Sequence, residues 1–403
     1  MSFRFARKED KQSIQKLMDY CFPDYQQETP ENHMPEPERS EPEDEEKRRE
    51  SEEALRWVLV KEDANGKIGQ HVQIVPLTVH FDGGTLPMGG IGGVASLPEY
   101  RYGGGVMELM RMSLQVMCDR GIPLSELAPF SFEFYRKCGW EWGFRWHELS
   151  IPMKELAMFQ ADKGMFVPLT DALSDQAMVV RNLHGTRFNG AELMDAPKMK
   201  DLFPKKGLLG YGVLGKDGQL SGYALYRVKD HTIHCRDFFY KDITAKRQLL
   251  HFFHRHNSQA EILRLTVPET DTTQHLLGDQ YLDVKSQSGM MVRVVEVRQA
   301  LAAMRVGAGL AGTFVMQVSD EMAPWNRGNW LVTASDGHLN AVRTEDREPD
   351  CVIAIQRLSQ LVYGFLSGQD IAENGMMAWR TETARPLFDK VFQKRPTAQW
   401  IPF

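Results

Sequence analysis

One stretch restricts the fold of this chain more than any other: Val94-Ala95-Ser96-Leu97-Pro98-Glu99-Tyr100-Arg101-Tyr102-Gly103-Gly104-Gly105-Val106. It begins in an extended segment, Pro87 to Ser96, and ends in an amphipathic helix, Gly104 to Arg120. Val106, Met110, Leu114 and Met117 lie along one face of that helix, and Gly121 stops it. A strand that turns through three glycines into a helix leaves several backbone N–H groups unpaired, with the positive end of the helix dipole behind them. Such a nest suits a pyrophosphate. Arg101 adds a cation, and the strand edge at Val94, Ala95 and Ser96 can pair with an amide-bearing arm. Taken alone, the glycines are equally compatible with a tight structural turn.

The flanking sequence supplies the elements around this loop. Ile14, Leu17 and Met18 recur at helical spacing within residues 8–20. Strands are expected at Arg56 to Val60, Ile68 to Val75, Leu77 to Phe81 and Ile122 to Leu127, with turns at Asn65-Gly66 and Asp82-Gly83-Gly84. The same order returns more faintly at Gly210 to Leu214, Ser221 to Val228 and Thr232 to Tyr240, followed by a helix from Thr244 to Asn257. After Ser288, Met291 to Leu301 leads into a third unit. There, strands at Gly312 to Val318, Asn329 to Thr333 and Cys351 to Ile355 alternate with helices beginning at Arg357 and Thr383. The fold class is therefore α/β (α+β) in three domains, 1–150, 151–288 and 289–403.

At 403 residues the chain exceeds one ordinary core. Its net charge of −6 argues against a nucleic-acid surface and for a cationic small substrate. Five scattered cysteines without a C-x-x-C pair point to neither disulfides nor zinc. With no stretch long and apolar enough for a leader or a membrane span, a cytoplasmic protein is expected. The segment Gln26 to Glu53, rich in proline, Glu and Arg, reads as a solvated excursion or a lid over a cleft.

The loop resembles the signature of the GNAT acetyltransferases, in which Arg or Gln, two residues, Gly, one residue and then Gly or Ala lie between strand and helix. Arg101 and Gly104 match; Val106 stands where a small residue is usual. More closely, the chain resembles the enhanced intracellular survival (Eis) family, through the Pro98 to Gly104 loop, the segment Phe134-Tyr135-Arg136-Lys137-Cys138-Gly139-Trp140-Glu141 and the aromatic C-terminus at Phe403. The resemblance implies tandem GNAT folds, the second degenerate, plus a C-terminal sterol-carrier-like domain. It also implies acetyl-CoA as cosubstrate, no metal, Tyr135 as general acid toward the leaving thiolate and the Phe403 carboxylate as general base toward the amine. Cofactor contacts are implied at Val94, Ala95, Ser96, Arg101, Tyr102, Gly103, Gly104, Gly105, Val106, Met107, Phe130 and Ser131, and acceptor contacts at Phe22, Asp24 and Tyr25. The family's acceptors are aminoglycosides and lysine side chains, and its members assemble as hexamers. The rivals are a protein-lysine acetyltransferase and a non-catalytic acyl-CoA or lipid sensor.

Other constellations carry less. His251, His254 and His256 share a helix without an acidic partner. Neither Cys118 nor Cys138 has a histidine to activate it. In the second copy Phe239-Tyr240-Lys241-Asp242-Ile243 replaces the glycine loop, so no acetyl-CoA is expected there. Asp320, Pro324, Asn326, Gly328, Leu358-Ser359-Gln360-Leu361 and Gly364 resemble the sterol carrier pattern. They are read chiefly as packing that delivers the C-terminus to the site.

Overall fold

The structure, a computed structural model, describes residues 2–23, 53–202, 208–279 and 281–400. Asp24, Tyr25, Phe403 and almost all of the Gln26 to Glu53 excursion lie outside the described residues.

The first unit runs β1 (Ser2–Phe5), α1 (Lys11–Cys21), β2 (Val58–Glu62), β3 (Ile68–Phe81), β4 (Gly84–Ser96), α2 (Gly105–Asp119), β5 (Leu124–Leu127), α3 (Phe132–Lys137) and β6 (Glu141–Trp142). The second contains β7 (Arg145–Pro152), β8 (Met165–Pro168), α4 (Ser174–Gly185), α5 (Ala196–Leu202), β9 (Leu209–Leu214), β10 (Leu220–Lys229), β11 (Thr232–Tyr240), α6 (Ile243–His254), β12 (Ile262–Pro268) and β13 (Asp283–Ser288). After β14 (Met291–Val294) come α7 (Val297–Ala302), β15 (Gly312–Ser319), β16 (Gly328–Ser335), β17 (His338–Arg343), β18 (Cys351–Ala354), α8 (Ile355–Tyr363), α9 (Gly368–Glu373), β19 (Ala378–Trp379) and α10 (Arg385–Val391).

Three sheets result, in the orders β1-β2-β3-β4-β5-β14-β6, β13-β7-β12-β11-β10-β9-β8 and β17-β16-β15-β18-β19. In the first, β4 and β5 are parallel and joined by α2; in the second, β11 and β12 are parallel and joined by α6. The faint sequence repeat is thus a repeat of topology.

Hairpin chemistry sets the registers. Asp82 and Gly83 (φ +49° and +81°) and Asp336 and Gly337 (φ +52° and +80°) supply the paired positive φ angles of tight two-residue turns. The expected break between Val75 and Leu77 is absent: β3 runs through Pro76. The residue is tolerated because β2 pairs only as far as Gln73, so the missing N–H falls where that side of the strand has no β2 partner.

Two strands cross the expected boundaries at 150 and 288. Met291–Val294 is not the start of the third unit but fills the first sheet between β5 and β6. Arg145–Pro152 leaves the first unit to pair with β12 and β13. Both are short segments, and nothing in their apolar pattern specifies a partner. The consequence is a continuous core: Leu77, Val79, Met88, Leu124, Val292 and Val294 of the first sheet pack in one cluster with Phe314, Met316, Trp330, Leu358 and Phe388 of the third unit.

Beneath the glycine loop, α2 buries Leu109, Met110, Leu114 and Met117 against Leu59, Val72, Ile74, Ile91 and Leu127, each large side chain stabilising by about 1.5–3 kcal/mol. Gly89 lets this helix sit close, because a Cβ there would overlap the Met117 sulfur.

Candidate active site

The loop before α2 is open to solvent and shaped as a nest. Tyr102 (φ +62°) and Gly104 (φ +71°) take left-handed conformations. Among the described residues no acceptor engages the N–H groups of Tyr102 to Met107, and the ladder begins with Glu108 N–H donating to the Gly104 carbonyl. Tyr102, Gly103 and Gly104 are exposed, Gly105 is buried, and Val106 and Met107 pack partly into the core below. Arg101 turns back, its Nε donating to the Ser96 carbonyl at 3.2 Å. Gly105 is required here, since a Cβ would overlap the Gln70 side chain, which is pinned by Nε2 donating to Ser96 Oγ (3.0 Å) and the Tyr100 carbonyl (2.9 Å).

A slot opens beside the nest. The parallel pairing of β4 with β5 ends at Ile91 and Leu127, while β4 continues to Ser96 paired only with β3. The free edge from Gly92 to Ser96, with Val94, Ala95 and Ser96 at its end, is what an amide-bearing arm would pair with. Gly93 (φ +56°) presents its carbonyl to His71 Nδ1 at 2.6 Å, so that nitrogen carries the proton, and burial holds the ring neutral by lowering its pKa.

The far wall is α3, started by Ser131, whose Oγ accepts the Phe134 N–H at 3.3 Å. Tyr135 is buried beneath Phe130 and Phe134, each ring 5.1 Å from its own. Its hydroxyl has no hydrogen-bond partner among the described residues, and burial, with a smaller contribution from Cys138, pushes its pKa well above that of free tyrosine. The Cys138 sulfur lies 3.4 Å from the Met107 sulfur, so the wall touches the first turn of α2. Burial pushes the Cys138 thiol up to about 12 and also raises Cys118, leaving both as thiols. Neither is an activated nucleophile.

From the opposite end of the chain, Thr397 to Trp400 thread between the first two sheets. Thr397 Oγ1 donates to the Gly143 carbonyl (3.0 Å), and Gln399 Nε2 donates to Glu126 Oε2 and the Gly190 carbonyl (3.1 Å each). Trp400 packs edge-on or tilted against Trp146, His184, Phe188 and Phe239. Phe22, expected at the acceptor, is the exposed C-cap of α1, and Cys21 Sγ approaches the Ser96 carbonyl at 3.6 Å.

Family comparisons agree with this geometry. Models described as "Acetyltransferase (GNAT) domain" match residues 2–143 and 193–294, and one described as "Sterol carrier protein domain" matches residues 297–400. This chain belongs to the GNAT acetyltransferases. An uncharacterized N-acetyltransferase of Streptomyces avermitilis is 26% identical over 183 residues, a match spanning 43% of each protein. Among solved structures, a probable N-acyltransferase of unknown function from Enterococcus faecalis superimposes with a TM-score of 0.83 at 22% identity, covering 100% of this chain and 99% of that one. Eis1 from Mycobacterium abscessus does so with 0.79 at 17%, covering 100% of each. The tandem acetyltransferase folds and the sterol-carrier unit are thus shared along the whole length.

In this GNAT protein the second copy differs where it matters. Asp242 caps α6 with its own carboxylate, accepting the Ala245 N–H at 2.9 Å, so a negative group already sits where the first copy leaves its nest open. Lys246 behind it is buried and paired with Asp271 at 3.0 Å. His251, His254 and His256 make separate protein contacts, to the Phe166 ring, the Met153 carbonyl and the Tyr226 hydroxyl respectively. Among the described residues no group of three or more His, Cys, Asp or Glu could hold a metal.

The sterol-carrier residues act as tethers. Asp320 accepts two hydrogen bonds of 2.9 Å from Arg293 of β14, and Asn326 Oδ1 accepts the Val297 N–H. Gln360 Nε2 donates to the Trp142 carbonyl, and Ser359 Oγ accepts the Val294 N–H.

Glu126 is the group that sequence reasoning missed. It occupies a buried position in β5, and burial pushes its carboxyl up to about 8 despite the Gln399 hydrogen bond. The signal available, one Glu in an apolar strand, does not distinguish a solvent-facing carboxylate from a buried acid.

Proposed function

We propose that this protein is an acetyl-CoA-dependent N-acetyltransferase acting on primary amines of a cationic small molecule, an aminoglycoside being the family precedent. The observation that carries the reading is the junction of three features: a nest of N–H groups that no described residue accepts from, a slot where β4 and β5 part, and the buried residue Tyr135, whose hydroxyl has no hydrogen-bond partner among the described residues. The nest suits the pyrophosphate of CoA and the free strand edge its amide arm. The nest can take the pyrophosphate without rearrangement, because its N–H groups have no acceptor among the described residues.

The amine nitrogen attacks the thioester carbonyl carbon, the C–S bond breaks, and sulfur departs with the electron pair. Backbone N–H near Val94 to Ser96 stabilises the oxyanion. Tyr135, with a pKa raised by burial, keeps its proton at working pH and donates it toward the departing sulfur. The amine loses its proton to the Phe403 carboxylate, directly or through water, so that one proton is given and one taken per turnover. The fixed path of Thr397 to Trp400 supports a terminus held near the site. With both thiols raised, direct transfer is favoured over an acyl-enzyme. We extend the reading to a cytoplasmic hexamer.

Thiol release from acetyl-CoA with aminoglycosides, polyamines and lysine peptides tests this reading. Tyr135→Phe is expected to lower kcat by about 10²–10⁴, and residues added after Phe403 are expected to do the same. Turnover only with peptides would favour the lysine acetyltransferase. Cofactor binding without turnover on any amine would favour a sensor.

A further inference from the structure

Directly under the nest lies a cation that the signature does not include. Lys61 stands near the end of β2, paired across the strands with Gln70, and points to the first turn of α2. Its ammonium lies 2.6 Å from where a Cβ on Gly105 would be. The residue is 8% exposed, yet among the described residues no carboxylate or hydrogen-bond acceptor pairs with it. The ammonium lies over the Phe3 ring, 5.4 Å from the ring centroid. The Gln70 Oε1 atom at the same place is buried and has no partner among the described residues.

This arrangement is electrostatically one-sided. The N-terminus of a helix carries about half a positive charge, and six consecutive N–H groups there, Tyr102 to Met107, have no acceptor among the described residues. A lysine at that end repels the dipole, and burying it without a counter-charge costs further free energy. An anion at the mouth of α2 relieves both terms at once.

We propose that Lys61 is a pyrophosphate ligand, reaching from β2 beneath the nest so that the phosphate is bound from the main chain on one side and by an ammonium on the other. The proposal rests on the reading of this loop as a CoA site. It differs from the loop signature in drawing its charge from a distant strand, while Arg101 spends its Nε on the Ser96 carbonyl. The bland alternative is that Lys61 and Gln70 satisfy each other after a small side-chain movement.

Calorimetric titration of the full chain with CoA and with dephospho-CoA, which keeps the pyrophosphate but lacks the 3′-phosphate, separates these cases. Lys61→Met is expected to weaken both ligands by the same factor, about tenfold or more, and to leave the ligand-free melting temperature unchanged or higher. Lys61→Arg is expected to restore most of the affinity. Unchanged affinities in Lys61→Met, with a lower ligand-free melting temperature, would overturn the proposal in favour of the Gln70 pairing. A loss confined to CoA would overturn it in favour of a 3′-phosphate contact. Failure of the unaltered chain to bind either ligand would overturn the CoA reading itself, before any variant is compared.

Discussion

Replacing Glu126 by Gln separates the charge of this group from its shape. The carboxyl sits in β5 with no exposure, Gln399 donates to Oε2, and Oε1 has no partner. The Tyr363 hydroxyl approaches the carboxyl without closing a hydrogen bond of good geometry. Glu192, bridged to Lys198 at 2.8 Å, adds a like charge. Burial dominates and raises the pKa from 4.5 to about 8. Since the folded state then holds a proton that the unfolded state releases, stability from this group is fully present below pH 4.5. It declines as pH rises toward about 8, and is flat beyond. The interval corresponds to roughly 4–5 kcal/mol. Gln keeps the acceptor for Gln399 and cannot ionise. In urea denaturation at pH 5, 7 and 9, wild type should lose several kcal/mol relative to Glu126→Gln, most of it between pH 5 and 8. Parallel stability curves for the two proteins would show that the carboxyl titrates normally and that the buried-acid reasoning fails.

Two further outcomes follow from buried charge. Asp320→Asn leaves Arg293 fully buried against Gly139 and Trp140 with a weakened partner, and stability should fall by about 3–5 kcal/mol, read from chemical denaturation. His184 has its pKa lowered by burial to about 4, so it is neutral when folded. The stability it confers is present above pH 6.5 and is lost as pH falls toward 4. His184→Phe should therefore flatten the acid limb of the melting-temperature profile over that interval.

The order of elements was legible because it is written in local chemistry. The glycines before α2, its apolar face, Gly121, and the Asp-Gly turn at Asp82 each act within a few residues. The second copy was legible for the same reason, since Lys241-Asp242 in place of glycines is a capped helix start. What sequence did not carry was partnership at a distance. Val58–Glu62 reads as any half-buried strand, so nothing marked Lys61 as lying under Gly105. Met291–Val294 reads as leading into the third unit, and nothing in it names β5 or β6 as its neighbours. Arg145–Pro152 likewise gives no sign that the chain changes sheets there.

Those unreadable pairings explain why a sterol-carrier unit belongs in this enzyme's chain. In the β5/β14 register Ser125 faces Arg293 and Glu126 faces Val292, so adjacent positions send Arg293 and Glu126 to opposite faces of the sheet. On the α3 side, Arg293 packs on Gly139 and Trp140 and takes Asp320 from the third unit. On the other side, Glu126 takes Gln399 from the last described residues of the chain. The same two strands therefore receive both the third unit and the C-terminal segment, and β5 leads directly into the helix bearing Tyr135. A change confined to the third unit therefore acts on the α3 wall and on the path of the C-terminal segment together. Asp320→Asn should for that reason lower kcat more than it raises KM, whereas a unit serving only as a lipid carrier would leave kcat unchanged.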